Sequence, residues 1–169
     1  MFQPGQLLVY GSTGVCRVEE ITAPNLTKAD RGRQYYLLKP LFQDSVIYAP
    51  VDNEKISIRP VISREEAEAL ISLIPSIQKD PCRASSLQAL AHHYQAVIHS
   101  HDCKDLLKLT VSIYAKRQQA EAQKRRLGAM DERYLKQAER LLHGELSAAL
   151  GIPYEEVPAY IAQKTAAQS

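Results

Sequence analysis

Residues 2–21 read FQPGQLLVYGSTGVCRVEEI, and this stretch decides the first half of the fold. Leu7, Leu8 and Val9 form an apolar run that Tyr10 carries up to a turn sequence, Gly11-Ser12-Thr13-Gly14. Beyond it, Val15, Arg17 and Glu19 alternate with Cys16, Val18, Glu20 and Ile21, roughly the period of two that puts one strand face on a core and the other in water. The stretch is therefore a hairpin. Three more strand segments follow at residues 34–38 (QYYLL), 46–49 (VIYA) and 56–58 (ISI), separated by polar turns at 25–33 and 43–44. Short strands at this density predict a small SH3-like or Tudor-like barrel over residues 1–62.

From residue 63 the period changes to that of helices. Ser63-Arg64-Glu65-Glu66 is a capping box, in which a hydroxyl and a glutamate three residues on satisfy the first free amides. Ala67, Leu70, Ile71 and Ile74 then make one apolar face, stopped by Pro75. A looser segment at 76–83, with Pro81, leads to a helix over about 85–99. Asp102 can cap a long helix running over 103–127, with Leu106, Leu109, Ile113 and Tyr114 at helical spacing. Asp131 starts another through Leu135, Ala138, Leu142, Leu146 and Leu150, ended by Gly151 and Pro153. Val157, Tyr160 and Ile161 mark a short last helix, and the tail at 165–169 should fray. Such helices are marginal alone, so their stripes must pack together. The expected fold is α+β: a small barrel domain at 1–62, then an all-α helical bundle domain at 63–169.

Phe2, Gly5, Val9-Tyr10, Gly14-Val15, Tyr35-Tyr36-Leu37, Ala49-Pro50-Val51 and Arg59-Pro60-Val61 come in an order that resembles the amino-terminal domain of the CarD family. That domain also occurs as the RNA-polymerase-interacting domain of transcription-repair coupling factors. The run Asp131-Glu132-Arg133-Tyr134-Leu135-Lys136, with Ala138-Glu139, Leu142, Gly144-Glu145-Leu146 and Leu150-Gly151-Ile152-Pro153, resembles the helical carboxy-terminal domain of the same bacterial family. The resemblance implies two contacts. The barrel adds an edge strand to the lobe of the RNA polymerase β subunit, and the helical domain touches promoter DNA without sequence preference at the upstream edge of the bubble. The strand expected to dock is Val46-Ile47-Tyr48-Ala49-Pro50: proline confines a strand to an edge or an end, and tyrosine is enriched at interface hot spots. One alternating set of its side chains must face the core, leaving the other for a partner.

Charge divides unevenly along the chain. Residues 1–62 hold seven basic and six acidic residues, whereas 102–126 hold seven basic against three acidic. Lys104, Lys108, Lys116, Arg117, Lys124, Arg125 and Arg126 are read as following one helix to its end, and Arg133, Lys136 and Arg140 begin the next. Such a stripe is the footprint of a protein lying against phosphates. It is equally what a solvated helix face looks like, with a basic cluster complementing the helix dipole. The resemblance favours DNA, and the DNA-facing set it implies is Leu90, His93, Lys104, Lys108, Lys116, Arg117, Lys124, Arg125, Arg126 and Arg133. Many relatives carry a tryptophan wedge in the helical domain, but this chain has none. Leu90, just before Tyr94, is the candidate replacement. Leu87 and Leu90 are also an apolar pair at helical spacing, which ordinarily belongs to a core.

Residues suited to catalysis do not converge. His92 and His93 are sequential and point about 100° apart on a helix, and His99, His101, Asp102 and Cys103 lack a matching second ligand set. Ser12 has no elbow motif around it, and its loop has no phosphate-binding lysine. Cys16, Cys82 and Cys103 are odd in number and contain no CxxC. The expectation is a non-enzyme without cofactor or metal. With 45% hydrophobic residues, no run near the roughly 20 a membrane span needs, and no leader-like amino terminus, the chain reads as cytoplasmic; the resemblance adds the expectation of a nucleoid-associated monomer. The function expected is modulation of open-complex stability by a transcription regulator. The alternatives are a polymerase-bound module with no DNA role, or an RNA- or ribosome-binding barrel, which the barrel's balanced charge disfavours.

Overall fold

The computed structural model describes residues 2–23, 32–52, 55–77 and 84–166. Most of the polar turn expected at 25–33, together with Pro81, Cys82 and the last three residues of the tail, lies outside the described residues. The chain forms two compact units, Met1–Val61 and Ile62–Ser169.

The first unit is one antiparallel sheet of β1 (Leu7–Tyr10), β2 (Gly14–Thr22), β3 (Tyr35–Pro40), β4 (Ile47–Pro50) and β5 (Ile58–Pro60), in the order β4-β3-β2-β1-β5. Among the described residues no pairing joins β4 to β5, so the barrel closure expected from the sequence is not part of this ladder. A single 3-10 turn, Gly11–Thr13, links β1 to β2. Gly11 sits there at φ +47°, and a Cβ on it would stand 2.9 Å from the Ile56 Cγ2 methyl, so the turn admits only glycine without displacement. The imperfect alternation of Val18-Glu19-Glu20-Ile21 has a structural cause: the register with β3 shifts between Val18 and Glu20. This bulge flips the parity, leaving both glutamates exposed while Val18 and Ile21 reach the core. That core holds Leu8, Tyr10, Cys16, Val18, Tyr36, Leu38 and Ala49, and Phe2 packs edge-on to Tyr36.

The second unit contains α1 (Arg64–Leu73), α2 (Leu87–Ser100), α3 (Cys103–Ala122), α4 (Ala129–Leu150) and α5 (Val157–Ala166). Three serine and aspartate caps set the starts. The Ser63 hydroxyl accepts from the Glu66 N–H, Ser86 accepts from Ala89, and Asp102 accepts from both Lys104 and Asp105. The apolar stripes meet in one core that includes Ile71, Tyr94, Ile98, Leu106, Ile113, Leu135, Leu142 and Leu146. α5 closes on α1 through a hydrogen bond from the Tyr160 hydroxyl to Glu68. Glu145 is buried within the unit, accepting from the Ile62 N–H at 2.9 Å and the Cys103 thiol at 2.9 Å.

Two helix boundaries differ from expectation. α3 ends at Ala122 rather than near residue 127: the Arg125 N–H bonds back to the Ala120 carbonyl at 2.7 Å and the Lys124 N–H to Glu121 at 3.0 Å, with Lys124 at φ +57°. These two bonds are a Schellman stop with lysine in the left-handed position usually held by glycine. α4 starts at Ala129, with Gly128 as its N-cap, so Asp131 lies inside the first turn rather than capping it.

Candidate functional site

In the first unit the exposed main chain is at β4, an edge strand with no strand on its outer side among the described residues. The Val51 N–H donates to the Gln34 carbonyl at 3.0 Å, which sets the phase of the β3–β4 ladder. Ala49–Tyr36 and Ile47–Leu38 are then the hydrogen-bonded pairs, and Tyr48, opposite Leu37, turns its N–H and C=O to the open edge. Pro50 has no N–H to offer and closes the strand. Ala49 is fully buried and Ile47 packs on the core, so both face inward. Tyr48 and Val46 lie on the other face, 44% and 58% exposed, and Phe42 in the preceding turn is 41% exposed. Two corrections follow for the expected docking strand. Val46 precedes β4 rather than belonging to it, and Ala49 presents nothing at the edge, its methyl sealed in the core and its main chain paired with Tyr36.

The helical unit disperses the basic residues expected to form one stripe. Lys116 turns inward: its ammonium lies 3.0 Å from Asp131 Oδ1 and 3.3 Å from the Tyr94 hydroxyl, which itself donates to Asp131 at 2.6 Å. With its side chain 18% exposed and bonded to a carboxylate, Lys116 is a strut between α2, α3 and α4 and not a phosphate contact. Leu90 is likewise withdrawn from the surface, since it is 7% exposed and part of the core. Leu87, three residues earlier, is 70% exposed at the first position of α2. Arg117 stacks over the Tyr114 ring at 5.4 Å, and Arg133 over Tyr134 at 5.2 Å.

The remaining cations fall into two groups. Lys104 and Lys108, one turn apart and exposed on α3, stand near His93 of α2 around a shared pocket. Lys124, Arg125 and Arg126 are exposed in the loop after α3, beyond a helical run that covers about 27 Å from Lys104 to Ala122 at 1.5 Å per residue. Arg133, Lys136 and Arg140 continue from that loop along one face of α4 at spacings of three and four. Helical spacing in the sequence is the signal that sets Lys136 and Arg140 beside Arg133. For Phe42 there was none, because a lone aromatic in a polar turn has no period.

Titratable groups elsewhere are tied down by packing. Burial pushes the Cys16 thiol up to about 11, so it stays protonated at neutral pH. Burial holds the His143 imidazole below its ordinary value, with the Glu139 carboxylate acting in the opposite sense. Burial and the hydrogen bond to Glu139 raise Tyr114 to about 12. His99 and His101 approach ring to ring at 6.4 Å, but the adjacent Cys103 thiol points into the core at Glu145. Among the described residues no three histidine, cysteine, aspartate or glutamate side chains are placed to hold a metal ion, and no helix is long and apolar enough to cross a membrane.

A five-stranded antiparallel unit with an open edge strand offers main-chain groups at that edge. Residues 2–62 match the family model of the CarD-like/TRCF RID domain, so the first unit is similar to that domain over its whole length. The match supports RNA polymerase as a partner of this unit and a transcription-related role. The match ends at the boundary of the helical unit. No curated protein matches the chain.

Proposed function

We propose that this protein is a transcription regulator that docks on the β subunit of RNA polymerase through β4 and steadies promoter DNA with the helical unit. The observation that carries the reading is the open edge at Tyr48, in a domain whose family binds polymerase. Main-chain bonds from Tyr48 would supply affinity, and the exposed Tyr48 and Val46 side chains would supply specificity. On the helical unit, the exposed 124–126 loop and the Arg133, Lys136 and Arg140 face of α4 supply cations for phosphates, which position a protein on duplex DNA without reading its sequence. Leu87, not Leu90, is the exposed apolar side chain of α2 available to press on partly unstacked base steps.

Open-complex lifetime on a single promoter tests the reading, with RNA polymerase alone, with the protein, and with its Leu87→Ala and Lys124→Glu/Arg125→Glu/Arg126→Glu variants. The protein should lengthen the lifetime, the triple variant should lose most of that effect, and Leu87→Ala should lose part of it. A lifetime unaffected by the protein, while it still binds polymerase, would leave an interaction module without a DNA role.

A further inference from the structure

Two basic residues of α3, Lys104 and Lys108, line a pocket. It lies between the end of α1 with the 3-10 turn behind it (Ile74–Ser76), α2 and the first half of α3, with a volume of about 680 Å³. Its apolar wall is aliphatic: Leu73, Ile77, Val97 and Leu109. Lys104 and Lys108 rise on one side and His93 on another, with Asp105 the acidic group among the lining residues. Among the described lining residues, two ammoniums against one carboxylate leave the rim net positive. Among the described residues neither lysine forms an ion pair, in contrast to Lys116 further along the same helix.

A concave site with an apolar floor and a few convergent polar groups, in the range of about 300–1,000 Å³, has the form of a small-molecule site. Duplex DNA presents a convex row of phosphates and has no use for an aliphatic floor. Single-stranded bases seek aromatic platforms, and among the described residues His93 is the only ring lining this pocket. We infer that the pocket binds a small amphipathic anion: a short aliphatic body laid on Leu73, Ile77, Val97 and Leu109, with a carboxylate or phosphate head held by Lys104 and Lys108. Charge-assisted hydrogen bonds from two ammoniums favour either head. The site is separate from the 124–126 loop, which lies past the other end of α3.

The test is amide NMR on the full chain titrated with octanoate and with octyl phosphate, beside octanol and inorganic phosphate. Saturable shifts at Leu73, Ile77, Val97 and Leu109 are expected with one or both amphipathic anions, and the tighter of the two identifies the head group. Lys104→Ala/Lys108→Ala, both at exposed positions, should weaken binding at least tenfold. Leu73→Asn should weaken it from the apolar side, and Lys124→Glu/Arg125→Glu/Arg126→Glu should leave it unchanged. The inference is overturned if octanol binds as tightly as the anions, if no shift saturates at the pocket, or if the double lysine variant binds like the parent. It is overturned equally if duplex DNA shifts these same resonances and loses affinity with the two lysines, which would make the pocket wall part of a nucleic-acid surface.

Discussion

Lys116 shows how a residue's neighbours decide its role. In the sequence it is one member of a basic run; in the fold it joins Tyr94 and Asp131 in a largely buried triad that ties three helices together. No periodicity reports this, because Tyr94 and Asp131 are 37 residues apart and each has an ordinary place on its own helix. Removing the carboxylate strands an ammonium and a phenol away from water, and breaking a largely buried pair from one side costs about 3–5 kcal/mol, or about 2–3 after partial solvent access is allowed for. Asp131→Ala should therefore lower the stability of the helical unit by that amount in denaturant unfolding. Lys104→Ala, an exposed change on the same element as Lys116, should stay within about 0.5 kcal/mol of the parent. Equal effects would mean that the triad contributes no more than a surface charge. The two leucines teach the same lesson: Leu87 and Leu90 have the spacing of a core pair, yet Leu87 is the first helical residue, with no turn before it to share a face.

At the scale of elements the sequence was most readable where a side chain closes a local hydrogen bond. Ser63 and Asp102 were legible as caps because the bonding groups lie within three residues. The end of α3 was not, since lysine and arginine favour helix and neither glycine nor proline interrupts residues 103–127. The chain nonetheless turns at Lys124, whose φ of +57° carries a steric cost for any side chain with a Cβ. Lys124→Gly should relieve it and stabilise the helical unit by about 0.5–1 kcal/mol, net of the entropy glycine adds to the unfolded chain. A rise of a few degrees in the melting temperature of that unit is the readout; a fall would show that the lysine side chain makes up for its backbone. The β2 bulge was half-visible: Glu19-Glu20 broke the alternation, but only the pairing with β3 shows the break to be a change of parity. Strand order was not legible at all. That β4 lies at an edge rested in the sequence on Pro50 alone, and the ladder supplies the rest.

The whole molecule joins a polymerase-interacting unit to a helical one in which Lys104 and Lys108 stand at one end of α3 and the exposed 124–126 loop follows the other. If the loop group is the DNA surface, the full chain should bind duplex DNA weakly and with steep salt dependence, and Lys124→Glu/Arg125→Glu/Arg126→Glu should flatten the plot of log K against log salt by up to about 0.9 per lost phosphate contact. An unchanged slope would leave those three residues as solvated helix-end charges. The central claim is that β4 is the docking edge, and the most direct measurement is the affinity of the full chain for the isolated polymerase β subunit, parent against Tyr48→Ala, with folding checked by circular dichroism. Truncating an interface aromatic should cost about 1–2 kcal/mol, or roughly five- to thirtyfold in Kd, with DNA affinity unaltered. A folded Tyr48→Ala protein that binds the β subunit as tightly as the parent would contradict the account and move the docking surface off this edge.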